Sequence, residues 1–254
     1  MDRLAFFWTG EDTQLPAALV QSARLVYGDA IEIFQLTDRA TPEIAGTSAV
    51  VRGDLPEDIM TARLAAYAML PSDRMTVYVD ADSLVLTPFR LPDIGGADAF
   101  LVMRENGMQP VKSGMQQLHG RAIGPFPEFQ GKTFSEAMPI LAGFVATHRG
   151  PALFGGLSRA LRALPERLHR WYGDQVVLAQ FYRARPEAVS LLPARKFLRV
   201  VDSQLGEKDI AKLMSIDTRL ITFKGAQTKA MAAPTLAHIG KVLADARRAQ
   251  AQAR

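Results

Sequence analysis

The sequence predicts a single α/β domain in which a mixed, mostly parallel central sheet is flanked by helices. Apolar, β-branched runs of strand length alternate with helical spacing of apolar residues over residues 1–90, as in βαβ units. A chain of 254 residues, 48% of them hydrophobic, can bury one such core and is too short for two comfortable domains.

The order of elements in the first part of the chain follows from apolar spacing and from turn residues. Thr13 is expected to cap the first helix, Gly28 to end it, and Pro71 to stop the second helix. The predicted elements are a strand over Leu4–Trp8, a helix over Leu15–Tyr27, strands over Ile31–Leu36 and Ala49–Val51, a helix over Asp58–Leu70, and a strand over Met75–Val79.

The pattern changes after a further strand over Asp98–Met103. Residues 104–138 are rich in Gly, Gln and Pro and show little periodicity, which is typical of a functional loop or lid. The later predicted elements are a strand over Ile140–Thr147, helices over Pro151–Leu168 and Asp174–Tyr182, strands over Val189–Leu192, Phe197–Val201 and Leu220–Phe223, and a helix over Thr235–Ala253.

Composition excludes several classes of protein. The chain has no cysteine, which rules out a disulfide framework, a thiol nucleophile and thiolate metal sites. The first ten residues do not read as a signal peptide, and no window approaches the ~18 apolar residues of a membrane span. We therefore expect a cytoplasmic protein, with peripheral contact at the inner face of a membrane as the alternative.

The net charge of +4 is unevenly distributed. Residues 1–70 carry five basic and ten acidic residues, whereas residues 149–200 carry ten basic and three acidic residues. Such a basic region can attract nucleic acid, an anionic membrane or a phosphorylated small molecule. Its basic residues are not interleaved with the aromatics of a base-stacking platform, so we expect no nucleic-acid partner.

Two carboxylates end the strand in VYVDADSLVL. Ligands of parallel sheets bind at the carboxyl ends of the strands, which is where Asp80 and Asp82 fall. Mg²⁺ and Mn²⁺ commonly take one or two carboxylates together with substrate phosphates. The spacing therefore indicates a metal site, and a solvated turn is the structural alternative.

Four segments in this order resemble the GT-A nucleotide-sugar glycosyltransferases, and most of all glycosyltransferase family 8 and its bacterial relatives. The order of elements matches across roughly residues 1–230. The four segments are Val77–Asp82 as the aliphatic-Tyr-aliphatic-Asp-x-Asp motif, Arg63 on the preceding helix, Ala142 and Gly143 in the strand ILAGFVAT, and Asp174 and Gln175 followed by ITFKGAQTKAM near Leu220.

Three positions depart from the family pattern. Thr222 stands where the family has a His as its third metal ligand, which puts tight metal binding in doubt. Leu141 stands where the family has an Asn that contacts sugar or acceptor. The family's Lys after the glycine is Thr228 here, and Lys229 follows one position later.

The resemblance implies a GT-A fold and a transfer, with retention of configuration, of a sugar from a nucleotide-diphosphate donor, expected to be a UDP-sugar. The acceptor would be a carbohydrate, a lipid-linked molecule or a protein, and Mn²⁺ or Mg²⁺ would assist as a Lewis acid. The implied donor-site residues are Thr9, Glu11, Arg63, Asp80, Ala81, Asp82, Lys224, Gly225 and Lys229, with Asp80 and Asp82 as metal ligands.

The resemblance also implies catalytic roles for Asp174, Gln175 and Arg63. Each residue has a structural alternative. Asp174 can be an ordinary helix N-cap, Arg63 a surface arginine whose stem covers apolar side chains, and Lys224 and Lys229 part of a solvated basic loop.

Two other functions compete with this one. In a haloacid-dehalogenase-type phosphatase, Asp80 would be the nucleophile, Asp82 the general acid and Asp174 a metal ligand. In that family the motif normally lies at the start of its domain and is followed by Gly-Thr. Here two or three βα units precede it, and Gly-Thr does not follow Asp82. Loss of the His at Thr222 also suits a non-catalytic protein that binds nucleotide sugars on the same scaffold.

The segment Thr235–Arg254 combines an apolar stripe with basic residues. We divide the chain into a glycosyltransferase-like domain over residues 1–234 and a basic amphipathic helix over residues 235–254. The stripe is expected either to pack on the core or to contact an anionic membrane surface weakly.

Overall fold

The computed structural model describes residues 3–71, 74–91, 97–104, 117–118, 121–122, 129, 132–201, 203–224 and 226–252. Most of the predicted loop or lid over residues 104–138 lies outside these ranges. The described strands are β1 (Arg3–Phe7), β2 (Glu32–Thr37), β3 (Ala49–Arg52), β4 (Thr76–Asp80), β5 (Ser83–Val85), β6 (Ala99–Met103), β7 (Gln117–Leu118), β8 (Arg121–Ala122), β9 (Ile140–Thr147), β10 (Val189–Pro193), β11 (Arg199–Val201) and β12 (Leu220–Phe223).

Ten α-helices lie within the same ranges, together with a 3₁₀ turn at Pro186–Ala188. The helices are α1 (Gln14–Tyr27), α2 (Ile59–Ala68), α3 (Phe134–Ala137), α4 (Gly150–Arg162), α5 (Glu166–Arg170), α6 (Gly173–Ala184), α7 (Ala194–Phe197), α8 (Glu207–Ser215), α9 (Ala226–Lys229) and α10 (Ala232–Gln252).

Seven strands form the central sheet in the order β10-β6-β9-β4-β1-β2-β3. Neighbours pair parallel except at β9, which runs antiparallel to both β4 and β6. Because successive side chains point to opposite faces, β4 places Val79 in a core with α1, and Tyr78 in a core with α2, α4 and α6. The predicted mixed, mostly parallel sheet flanked by helices is confirmed.

A second sheet, in the order β11-β12-β5, joins distant parts of the chain. β12 pairs antiparallel with β5, so that Thr222 lies opposite Ser83, and β11 lies parallel to β12. Buried side chains of β5 and β12 pack with α8 and α10 in a third core that includes Leu84, Ile210 and Phe223. This sheet brings residues near 220 to the turn that follows β4.

Two predicted elements differ from the structure, and some observed elements were not predicted. The helix expected over Pro151–Leu168 is two helices, because Pro165 has no N–H to donate and its ring clashes with the carbonyl four residues earlier. Phe197 ends α7 instead of starting a strand. Helix α8 was not predicted, although its buried Ile210 and Leu213 have helical spacing.

Helix α10 begins at Ala232, three residues before the predicted start at Thr235, so the expected domain boundary falls inside it. Ile239 is fully buried, and Leu236 and Val242 pack against the same core. The apolar stripe therefore lies against α1 and α8. Contact of this helix with a membrane stays a prediction. None of the described helices is long and apolar enough to cross a membrane.

Candidate active site

A cavity of about 520 Å³ lies where β1 and β4 end, at the carboxyl edge of the central sheet. Ligand sites of parallel sheets form at this edge. Segments from both sheets and from α2 and α6 converge on it. The residues that line it are Phe7, Trp8, Thr9, Ile59, Met60, Arg63, Tyr67, Asp80, Ala81, Asp82, Arg104, Leu141, Ala142, Gly143, Trp171, Tyr172, Asp174, Gln175, Leu198, Val200, Thr222, Lys224 and Lys229.

Helix α2 supplies Arg63 to this cavity. Met60, Arg63 and Tyr67 are three and four residues apart, so they share one face of the helix. The Tyr67 hydroxyl donates to the Val79 carbonyl at 3.2 Å, and Arg63 Nη1 donates to Asp80 Oδ1 at 2.6 Å. The Arg63 side chain is 14% exposed, so it is not the surface arginine of the structural alternative.

Strand β4 points Asp80 toward α2, on the same face as Tyr78, and Gly143 on β9 leaves room for it. A Cβ atom at Gly143 would lie 2.8 Å from Asp80 Oδ2 and 3.1 Å from Leu198 Cδ2. Real Cβ contacts are essentially never that short with a carboxylate, so a side chain here would displace Asp80. Gly143 in ILAGFVAT thus has a steric role beside the carboxylate.

The pairing of β12 with β5 brings Lys224 to the carboxylates. The backbone N–H of Phe223 donates to the Asp82 carbonyl at 3.0 Å, which continues the ladder between Thr222 and Ser83. Lys224 is the next residue, and its side chain therefore lies above the turn that carries Asp82. This contact depends on a pairing between segments that are more than a hundred residues apart in the chain.

Lysine ammonium groups contact both predicted metal ligands. Lys224 Nζ donates to Asp80 Oδ2, and to Asp82 Oδ1 at 3.1 Å. Lys229 Nζ lies 3.1 Å from Asp82 Oδ2. The Thr222 hydroxyl donates to Asp82 Oδ1 at 3.0 Å. Both lysines therefore line the cavity; the Lys224 side chain is 19% exposed, whereas that of Lys229 is 38% exposed.

The protonation states follow from these contacts. Burial raises the pKa of Asp80, but the opposing effects of Lys224 and Arg63 are larger together and hold it well below its ordinary value. Burial lowers the pKa of Lys224, whereas Asp80 and Asp82 raise it, and the net result is above its ordinary value. Both groups are charged at neutral pH.

Asp174 lies in the first turn of α6. A Cβ atom at the preceding Gly173 would lie 2.2 Å from the Leu168 carbonyl oxygen, so the helix enters through a turn that requires glycine. Asp174 Oδ1 accepts the N–H of Gln175 at 2.8 Å, and Oδ2 pairs with Arg63. Its side chain is 2% exposed. Asp174 thus acts at the helix N-terminus and as the ionic partner of Arg63.

Gln175 and Arg104 form a second polar pair in the cavity. Arg104 Nη2 donates to Gln175 Oε1 at 2.7 Å, and Arg104 Nε donates to the Met138 carbonyl at 2.8 Å. Burial lowers the pKa of Arg104 to about 10, which leaves the guanidinium charged at neutral pH. The sequence did not point to Arg104, although it follows directly on the strand that ends at Met103.

The other predicted site residues divide into three groups. Thr9 and Ala81 line the cavity, whereas Glu11 is exposed and does not. Gly225 lies outside the described residues.

Trp8 is a second cavity residue that the sequence analysis missed. It lines the cavity, and its buried Nε1 has no hydrogen-bond partner among the described residues. Its place at the end of β1, beside Thr9, was the available signal.

The described donor groups do not fit the predicted Mn²⁺ or Mg²⁺ as they are arranged. Each oxygen of Asp80 and Asp82 accepts from Arg63, Lys224 or Lys229. Within the described ranges, no group of three or more His, Asp or Glu side chains could hold a metal ion. Metal binding stays a prediction, and the reaction proposed for this site does not depend on it.

Comparison with known proteins supports the fold. The chain is similar to a solved glycosyltransferase involved in the glycosylation of the major capsid of PBCV-1, with a TM-score of 0.53 and 10% sequence identity. The match covers 92% of this chain and 97% of that chain. At this identity the likeness is one of fold alone. No protein-family model matches the sequence, and no curated protein does.

Proposed function

We propose that this protein transfers a sugar from a nucleotide-diphosphate donor, a UDP-sugar by the sequence resemblance, to an acceptor hydroxyl. The observation that carries the proposal is the convergence of Arg63, Lys224 and Lys229 on one cavity at the carboxyl edge of the sheet. The cavity volume falls within the ~300–1,000 Å³ of small-molecule sites. The fold is also similar to that of a solved glycosyltransferase.

The chemistry needs cations at this position. When the bond between the anomeric carbon and the diphosphate oxygen breaks, its electron pair leaves with the diphosphate, on which negative charge collects. The acceptor oxygen bonds to the carbon, and the proton of the acceptor hydroxyl passes to the departing phosphate oxygen. Cations that are already in place stabilise that charge without reorganisation. The Lys229 side chain is 38% exposed and is the most accessible of the three cations.

Other cavity residues suit the remaining parts of the substrates. The end of β1 presents Trp8 and Thr9, and an aromatic side chain can stack on a nucleobase. Gln175 and Arg104 offer polar groups to sugar hydroxyls. Asp174 is buried against Arg63, so we assign it a positioning role: it holds the guanidinium toward the diphosphate.

A thermal-shift screen of nucleotide sugars, with and without Mn²⁺, tests the proposal. A donor present at 100 times its Kd should stabilise the native state by ~2.7 kcal/mol. The donor so identified should then release nucleoside diphosphate slowly in water and faster with an acceptor. Absence of a shift for every nucleotide sugar would contradict the proposal, and binding without release would favour a non-catalytic binding protein.

A further inference from the structure

The ammonium group of Lys224 occupies the position between the two carboxylates at the end of β4. It donates to Asp80 Oδ2 and to Asp82 Oδ1, and so bridges the pair as a bound cation would. A divalent ion that used the same two oxygens would have to displace Lys224. Its side chain is 19% exposed and is held in place by the pairing of β12 with β5.

The remaining oxygens of the carboxylates are also engaged. Asp80 Oδ1 accepts from Arg63 at 2.6 Å, and Asp82 Oδ2 lies 3.1 Å from Lys229 Nζ. The Thr222 hydroxyl also donates to Asp82 Oδ1, so this oxygen accepts from both Thr222 and Lys224. Oxygens that accept from ammonium and guanidinium groups are poor ligands for a second cation.

The charges in this group are balanced without a metal ion. Among the described residues, the carboxylates of Asp80, Asp82 and Asp174 face Arg63, Lys224 and Lys229, three negative charges against three positive ones. Arg104 lines the same cavity and pairs with the uncharged Gln175, so a divalent ion would add two positive charges to a cavity whose described side chains already carry one positive charge in excess. A diphosphate, in contrast, brings the negative charge that the accessible ammonium groups can accept.

The lysines have donors left for that diphosphate. An ammonium group has three N–H donors. Lys224 uses two of them on Asp80 and Asp82, and Lys229 uses one on Asp82. Both side chains line the cavity. Counting contacts within the described part of the chain, one donor on Lys224 and two on Lys229 are left for phosphate oxygens, while the carboxylates keep the ammonium groups charged and in place.

We infer that Lys224 and Lys229 take the place of a divalent metal ion, so that this chain binds the diphosphate of its donor directly and without metal. The inference rests on the proposed function and makes it more specific. In this arrangement Asp80 and Asp82 are positioning residues for the lysines, and the lysines contact the substrate.

Titration of UDP into the full chain, by calorimetry in EDTA and in millimolar Mn²⁺, tests the inference. We expect Kd values that differ by less than about threefold, well below the tenfold that corresponds to 1.4 kcal/mol. Lys224→Ala should weaken UDP binding in EDTA by roughly 30-fold or more, since a buried charged partner is lost. Lys208→Ala is the matched control, because Lys208 is exposed on α8, and it should leave Kd unchanged.

A second measurement uses the metal alone. The electron paramagnetic resonance signal of free Mn²⁺ should persist in the presence of the wild-type chain. It should decrease with Lys224→Ala, in which two carboxylate oxygens have lost their shared cation, and Lys224→Arg should behave like the wild type. Thermal unfolding shows whether each variant is folded, and the comparison of wild type in EDTA and in Mn²⁺ needs no variant.

Three results would overturn the inference. UDP binding at least tenfold tighter in Mn²⁺ than in EDTA would restore a metal site and leave the proposed function standing. Wild-type binding of Mn²⁺ as tight as that of Lys224→Ala would show that the lysine does not occupy the ion's position. If no nucleotide binds in either condition, the proposed function fails together with the inference.

Discussion

Two groups of charged side chains in this molecule form ion pairs, one group buried at the cavity and the other exposed to solvent. At the cavity, Asp174 is 2% exposed and Asp82 is 9% exposed. Between α8 and α10, Glu207 and Lys241 form a 2.8 Å ion pair with side chains that are 39% and 60% exposed. Removal of one partner leaves a charge without compensation in the first group, whereas water replaces the partner in the second. The cavity residues are therefore interdependent, and the surface residues are not.

The largest expected effect is that of Arg63→Met. It leaves Asp174 buried without its cation, so we predict that the free energy of unfolding falls by ~3–5 kcal/mol. Urea denaturation measures this.

The double variant Arg63→Met/Asp174→Asn has no unpaired charge at position 174, so part of the lost free energy of unfolding should be recovered. Arg39→Met, which breaks the exposed pair with Asp54, is the control and should change nothing measurable. A loss below ~1 kcal/mol in the single variant would refute the interdependence.

A smaller effect is expected at α10, where apolar packing holds the surface region to the core. Ile239 is fully buried, so Ile239→Ala should lower the free energy of unfolding by ~2–5 kcal/mol. The same denaturation experiment measures it. An effect below ~0.5 kcal/mol, the range of ordinary surface substitutions, would show that the stripe is not packed and would favour the membrane contact.

Substitutions at two glycines should change the free energy of unfolding in opposite directions, because only one of the two lies close to the buried carboxylates. Gly143→Ala pushes a Cβ atom against Asp80 and Leu198, and we predict a loss of ~1–3 kcal/mol together with weaker UDP binding. A Cβ atom at Gly156, within helix α4, would meet no atom of the described residues within 4 Å. Gly156→Ala should therefore stabilise the protein by ~0.4–1 kcal/mol. Equal effects of the two substitutions would contradict the close approach at Asp80.

The smallest effect is expected at Glu207. The hydrogen bond from Lys241 lowers the pKa of Glu207 below its ordinary value of 4.5, and His238 lies 3.5 Å away. A carboxylate with a lowered pKa stabilises the fold above its ordinary pKa, and this contribution disappears as the pH falls through the folded-state value. Lys241→Ala should therefore lower Tm only slightly near neutral pH, and this difference from the wild type should disappear as the pH falls below 4.5. A clear loss at neutral pH would contradict the independence of the surface pair.

The sequence predicted those features that depend on local pattern. Strand β4 with its two terminal carboxylates, the helix that carries Arg63 and the strand that carries Gly143 all appear where periodicity placed them. Each of these elements has apolar residues at a regular local spacing and a turn residue beside it. Both features depend only on nearby residues, so they can be read from the sequence. Helix α8 was missed although its signal was local, and Pro165 was a visible break within the helix predicted over Pro151–Leu168.

The contacts between distant segments could not be read in the same way. Strand β9 was predicted, but its antiparallel direction depends on where the chain returns to the sheet. The contact of Lys224 with Asp80 depends on the pairing of β12 with β5, which no local pattern specifies. Lys224 was therefore assigned to the donor site only by resemblance, and its position between the carboxylates was not foreseen.

The pairing of β12 with β5 also has a consequence during synthesis. Asp80 and Lys224 are 144 residues apart in the chain. At roughly 5–20 residues per second, a ribosome needs on the order of 7 to 29 s to make the segment between them. In a nascent chain that has already made β1, β2 and β4, Asp80 and Asp82 lack Lys224 as a partner for that interval. The contact of Lys224 with the two carboxylates at the carboxyl edge of the sheet can therefore form only after translation has passed residue 224.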